Sequence, residues 1–278
     1  MAITTLDQLG AALASNASRL VIDKASIASQ AAGTYVSLWR ATGQPGQGAI
    51  PAAAAVCNNT LLGCFGVAQQ TAPAESIAGW GEVATGNAAM GIEVHDRLMH
   101  MGGLSGTLTT AQTVNLDLSA NLGTDNVADR IGDSNYSDVQ WWLEWYTATG
   151  ASVVTATCAV TYNDGTTGTV QASLAATRPA SHMISLNGLI PVAGAGKFIR
   201  AVTSITLSAT TGTAGSFGVT ATRKRMSMPT YIANKPEVYD VWQLGWPKIY
   251  EASCLFLIAL TSTTSSGIVR GGGKIAHG

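Results

Sequence analysis

Between about residue 105 and residue 261 no stretch has both the length and the 3.6-residue apolar spacing of a crossover helix. Short runs of Val, Ile, Thr, Leu and aromatic residues alternate there with Gly, Ser, Asn and Pro. Without helices to carry the chain back across a sheet, successive strands pair antiparallel, so the expected fold class is mainly β: an antiparallel β-sandwich or jelly roll with a short N-terminal helical arm. The sharpest local signal is Asn163-Asp164-Gly165 between the runs Val153 to Tyr162 and Thr169 to Leu174. Asp-Gly supplies the backbone angles that a tight hairpin needs. Upstream, Gly106 to Leu118 alternates, with Leu108, Val114, Leu116 and Leu118 facing one way, and Val139 to Tyr146 forms a dense aromatic strand. Alternation puts Val139, Trp141, Leu143 and Trp145 on one face, which reads as core. Trp142, Glu144 and Tyr146 fall on the other, which a further element would cover. More strands are expected at 181–190, 197–207, 214–222, 238–244 and 252–261.

The ends have a different texture. Thr5 can cap a helix in which Leu6, Leu9, Leu13 and Ala17 recur at helical spacing, ahead of Leu20 and Val21. Residues 42–60, with Pro45, Pro51, several glycines and an alanine run, read as a long surface loop. The expected division is an N-terminal helical arm and loop over 1–60, a β-sandwich body over 61–266 and an extended tail over 267–278. In that tail Gly271-Gly272-Gly273 leave little to pack, so a neighbouring subunit would be needed to order it.

Charge is scarce. Only 11% of residues are charged while 46% are hydrophobic, and 15 basic against 16 acidic residues leave a net charge of -1. Ordinary soluble proteins carry roughly a quarter charged residues, and a monomer relies on them to stay dispersed. The chain is therefore expected to hide surface in a homo-oligomer, a trimer being favoured, or against other partners. Arg223-Lys224-Arg225 is the longest basic cluster, so nucleic acid is not an expected partner. No apolar run reaches the length of about 18 residues that a membrane span needs. The start, Met1-Ala2-Ile3-Thr4-Thr5, lacks the pattern of a secretory signal, and synthesis in a cytoplasm is expected. Cys57, Cys64, Cys158 and Cys254 fit neither a disulfide framework nor a zinc site and read as buried small side chains.

Motifs that carry chemistry fall short of their requirements. His95-Asp96-x3-His100 brings two histidines and a carboxylate close, but five-residue spacing makes a compact metal face on neither a helix nor a strand. Asp133-Ser134-Asn135-Tyr136-Ser137-Asp138 with Glu144 partly matches a calcium loop, yet Asp138 stands where the sharp turn needs Gly. Asp125, Asp129, Asp133 and Asp138 still form an oxygen-rich loop. There is no Gly-x-Ser-x-Gly elbow, His182 and His277 have no motif around them, and Gly102, Gly103 and Gly106 read as turn residues. No catalytic residue, cofactor site or metal site is expected. Of the aromatic residues, Trp242, Trp246 and Tyr250 cluster around a turn and are candidate interface anchors, with His95 and His100 as further polar contacts. The same indoles would serve a carbohydrate-binding module for host recognition if they were exposed and coplanar.

Three segments carry a resemblance: His95-Asp96-Arg97-Leu98-Met99-His100-Met101-Gly102-Gly103-Leu104-Ser105-Gly106, then Trp142-Leu143-Glu144-Trp145-Tyr146-Thr147-Ala148-Thr149-Gly150, and Gly245-Trp246-Pro247-Lys248-Ile249-Tyr250-Glu251-Ala252. Together, over roughly 90 to 267, they resemble virion structural proteins of tailed bacteriophages. The resemblance implies a non-enzymatic protein, made in the host cytoplasm and present in many copies on the virion. Its partners would be the major capsid protein or other virion proteins. A capsid decoration or cement role is implied first, with a neck, tail or fibre-associated role as the alternative.

Overall fold

The computed structural model describes residues 2–68, 70, 74–123 and 127–278. After helix α1 (Leu6–Ser15) come strands β1 (Ala17–Lys24), β2 (Tyr35–Ser37), β3 (Gly43–Gln44), β4 (Ala55–Val56), β5 (Ser76–Thr85), β6 (Met90–Leu104) and β7 (Gln112–Asp117). A single helical turn, α2 (Val127–Arg130), precedes β8 (Val139–Thr147), β9 (Val154–Tyr162), β10 (Thr167–Leu174), β11 (His182–Ser185), β12 (Ile199–Leu207) and β13 (Ser216–Thr230). Strands β14 (Glu237–Asp240), β15 (Lys248–Ile249), β16 (Leu255–Leu260) and β17 (Val269–His277) follow. The fold is mainly β, its sheets antiparallel, with a short N-terminal helix, as the strand texture implied.

Two compact units interleave in sequence. The first holds Met1–Ala49, Asn58–Asp96 and Lys224–Gly278; the second holds Ile50–Cys57 and Arg97–Arg223. The chain is thus partitioned otherwise than into arm, body and tail, because both ends are built into the first unit. Helix α1 begins at Thr5, as its side chain suggested: Thr5 Oγ1 accepts from the Gln8 backbone N–H at 3.3 Å and Gln8 Oε1 accepts from the Thr5 N–H at 3.2 Å.

In the first unit one sheet runs in the order β14-β5-β17-β1-β3, with β15 also beside β5. Its inward side chains, Leu20, Ile22, Val83, Val269 and Ile275, share a core with Val36, Ile92, Val94, Leu255 and Leu257 from the layer formed by β2, β16 and the first half of β6. The segment expected to be a tail, 267–278, is corrected here: β17 is a central strand, paired with β1 from Lys24↔Val269 to Ala17↔Ala276 and with β5 from Thr85↔Val269 to Ser76↔His277. Backbone hydrogen bonds on both sides hold what side chains do not. A Cβ on Gly271 would run into the Glu82 carbonyl oxygen, and one on Gly273 into that of Trp80 at 2.6 Å.

In the second unit the sheet β10-β9-β12-β7 packs on β13-β8-β11, a sandwich of two antiparallel layers. Trp141, Leu143 and Trp145 point into it, as their alternation required. Trp145 stacks on Phe217 at 5.8 Å between ring centroids, and Trp141 Nε1 donates to the Ile199 carbonyl at 2.8 Å. The hairpin forms where Asp-Gly placed it, with Val154↔Leu174 to Thr161↔Thr167 in register and Asp164 Oδ1 accepting from the Thr166 N–H at 3.0 Å. Leu108 departs from expectation. The strand begins only at Gln112, whose side chain bonds the backbone of Ser105 and Leu108 and closes a loop that leaves Leu108 exposed. Gly102 and Gly103 lie in β6 and only Gly106 lies in a turn; a Cβ on Gly102 would meet Tyr146 at 2.9 Å. All four cysteines are buried and free, and burial pushes the Cys158 thiol up to about 12.

Candidate functional site

In the first unit, β14 ends in a turn tied by Asp240, whose Oδ1 accepts from the backbone N–H groups of Trp242 and Gln243, each at 2.9 Å. The turn projects Trp242, 65% exposed, while Trp246 packs against Ile3, Leu9, Ile77 and Val241. The two indoles lie 5.3 Å apart but are tilted by 45°, so they do not form the coplanar platform a flat sugar ring would stack on. Tyr250 is half-buried between two cations, with Arg225 at 5.2 Å and Lys248 at 5.3 Å from its ring centroid. Trp242 is the member of this group that offers most surface to a partner.

His95 and His100, expected as interface contacts, are instead interior residues, each of its own unit. His95 Nε2 meets Glu93 Oε2 at 2.9 Å, and its ring packs edge-on to Phe256 at 6.3 Å. Burial lowers its pKa despite the neighbouring carboxylate. His100, in the second unit, accepts a hydrogen bond from Arg97 Nε at Nδ1, 2.9 Å away. Residues 95 and 100 lie an odd number of positions apart on β6, so their side chains leave opposite faces of the strand.

Arg97 is the centre of a cluster that sequence reasoning did not single out. Its Nη2 donates to Glu144 Oε2 at 2.7 Å, Tyr146 Oη at 3.0 Å and Thr220 Oγ1 at 3.1 Å, and Nη1 reaches Glu144 Oε1 at 3.3 Å. Thr220 Oγ1 donates to Glu144 Oε2 at 2.5 Å. Arg97 and Glu144 are fully buried. Burial opposes the guanidinium charge, but the Glu144 carboxylate outweighs it and the net direction is upward; burial and then Glu144 push the Tyr146 hydroxyl up as well. Glu144 and Tyr146 on that face of β8 are therefore buried, bonded to side chains of β13 and β6 in the same sheet.

The remaining candidates are already occupied. Asp133 Oδ1 accepts from the backbone of Asn135 at 2.9 Å and Ser137 at 3.1 Å, and Asp138 pairs with Arg223 at 2.8 Å; Asp125 lies outside the described residues. His277 lies between two serines, with Ser76 Oγ 2.7 Å from Nδ1 and Ser18 Oγ 2.7 Å from Nε2. Because the Ser18 backbone N–H also donates to Nε2, at 3.2 Å, that nitrogen's lone pair is engaged, and among the described residues no carboxylate contacts the ring to orient it as a base. Among the described residues no three His, Cys, Asp or Glu side chains group to hold a metal, and no helix is long and apolar enough to cross a membrane.

One surface feature lies where a strand was expected. The strand read at 181–190 stops at Ser185, and the run Gly188-Leu189-Ile190-Pro191-Val192-Ala193-Gly194-Ala195-Gly196 forms a loop of two 3-10 turns without a polar side chain. Val192 is 93% exposed at its tip. The absence of any polar side chain over nine residues, punctuated by Pro and Gly, was the signal available in the sequence.

No protein-family model matches the chain, and no curated protein sequence matches it. Among solved structures, that of the infectious bursal disease virus Gt strain is similar over 94% of this chain and 80% of its own, at 12% identity and a TM-score of 0.19. The VP2 subviral particle of infectious bursal disease virus is similar over 94% and 79%, at 11% identity and a TM-score of 0.17. Scores this low fall short of a shared fold.

Proposed function

We propose that this chain is a non-enzymatic structural component of a tailed-phage virion, carried in many copies and acting as a decoration or cement protein between neighbouring subunits of the shell. The observation that carries the reading is a surface poor in charge that also exposes large apolar side chains, Val192 at 93% and Leu62 at 76% foremost. Of the 15 basic and 16 acidic residues, Lys24, Arg97, Arg130, Asp96 and Glu144 are buried, so the surface is poorer in charge than the composition states. The segments resembling phage virion proteins supply the setting. Burying a Val or Leu side chain contributes about 1.5–3 kcal/mol, and repetition of such modest contacts around a lattice multiplies their effect.

The test is mass photometry of the purified chain with co-sedimentation on particles that lack it. A trimer or other closed ring that binds the shell is expected, and Val192→Asp should weaken assembly while leaving the circular dichroism spectrum unchanged. A monomer that ignores the shell overturns the reading.

A further inference from the structure

We propose that the outer face of the first unit's β14-β5-β17-β1-β3 sheet carries a shallow binding site for a neutral oligosaccharide, apart from the Trp242 turn. Residues directly opposed in antiparallel strands share a face. The register therefore sets Val21, Gly272 and Glu82 in one outward row, with Arg19, Lys274 and Trp80 on one side of it and Asp23, Arg270 and Ala84 on the other. Gly272 contributes no side chain, which leaves a groove of about 440 Å³ across the middle strand. Trp80 and Glu82 wall it from β5; Arg19 and Asp23 wall it from β1, and Arg270 closes one end. Lys274 is turned away, its Nζ donating to the Leu13 carbonyl at 3.3 Å.

The lining selects a chemistry. Trp80 is half-buried in the lining, and indoles pack on the C–H face of a pyranose ring. Carboxylates accept two hydrogen bonds and guanidinium groups donate two in a plane, which matches pairs of vicinal hydroxyls. Two carboxylates and two guanidinium groups cancel, so the groove favours an uncharged ligand over a sialylated or phosphorylated one. Asp23 and Arg270 contact each other at 3.3 Å, but both are well exposed, and such a surface pair exchanges partners at little cost. The volume lies within the range of small-ligand sites. Gly272 is held to glycine by its neighbour strand, since a Cβ there would meet the Leu20 carbonyl oxygen at 2.8 Å, and the bare backbone is what opens the groove.

The test is saturation-transfer NMR of the full chain with maltotriose, cellotriose and chitotriose as neutral probes and sialyllactose as the charged one. Saturable binding of at least one neutral trisaccharide is expected, weakened by about tenfold or more in Trp80→Ala and in Glu82→Gln. Glu82→Gln guards against a folding defect, since it changes no volume, and unfolding curves of both variants report on it directly. Failure of all three neutral probes, preference for sialyllactose, or binding that survives Trp80→Ala but not Trp242→Ala overturns the proposal. Each of these results is read on the isolated protein and leaves the assembly measurement untouched.

Discussion

Arg97→Met and Glu144→Gln, alone and together, measure what the buried cluster in the second unit contributes. Arg97→Met keeps most of the stem's volume and removes donors to Glu144, Tyr146, Thr220 and His100. Glu144 would then keep the hydroxyls of Thr220, at 2.5 Å, and Tyr146, at 3.2 Å, but lose the Arg97 guanidinium that balances its fully buried charge. Breaking such a pair from one side costs about 3–5 kcal/mol, whereas removing both charges is often close to neutral. The double variant should therefore cost no more than either single, falling short of their sum by about 3 kcal/mol or more, read as urea midpoints at constant m-value. Singles that each cost under about 1 kcal/mol, or a double that equals their sum, would refute the view that each charge is held by the other.

Three further outcomes follow from the geometry. His182 is buried beside Arg178, whose Nη1 lies 3.0 Å from its Nε2, and burial, then that cation, lower its pKa to about 4. The unfolded chain takes up a proton first as pH falls below about 6.5, so stability should fall by about 3 kcal/mol between there and about pH 4, and His182→Phe should flatten that slope in pH-dependent urea titrations. Lys24 Nζ donates to the carbonyls of Ala41 at 3.0 Å, Pro45 at 2.5 Å and Gly46 at 3.2 Å, and burial brings its pKa down to about 8. Between about pH 8 and 10.5 the folded state loses this proton before the unfolded one, so wild type should gain stability relative to Lys24→Met across that window. Gly271→Ala should destabilise the first unit by about 1–3 kcal/mol in thermal unfolding, because its methyl group meets the Glu82 carbonyl oxygen; an unchanged midpoint would show that β17 can shift to admit it.

What could be read from the sequence is what neighbours in the chain decide. The Asp164-Gly165 hairpin, the Thr5 cap and the inward Trp141 and Trp145 depend on residues within a few positions of one another, and all three are where their patterns put them. Strand β17 depends on partners far away. Its glycines carry no hydrophobic signal, and only pairing with Ala17–Lys24 and Ser76–Thr85 makes 269–277 a strand. The groove beside Gly272 exists only once that pairing is made, so Trp80, Glu82 and Arg19 gave no sign of a common site. His95 and His100 misled for the related reason that polar residues in a strand suggest surface, whereas Glu93 on one side and Arg97 on the other let both be buried.

Asp96 and Arg97 show how consecutive charged residues can fix a strand that runs through both units. The Asp96 carboxylate accepts from Ser253 Oγ and from the Cys254 backbone N–H, each at 2.9 Å, within the first unit, while Arg97 turns the other way to Glu144 within the second. A slip of β6 by one residue would reverse every side chain and set Asp96 where Arg97 now faces Glu144, two buried carboxylates in one site. The alternative register is thus penalised by charge as well as by packing. If Asp96 works by accepting those two hydrogen bonds, Asp96→Asn, which keeps one acceptor oxygen, should cost about 1 kcal/mol, and Asp96→Ala, which removes both acceptors from a buried site, about 1–3 kcal/mol more. Equal costs for the two variants in urea unfolding would mean that the acceptor is not what holds the strand, and that packing alone sets its register.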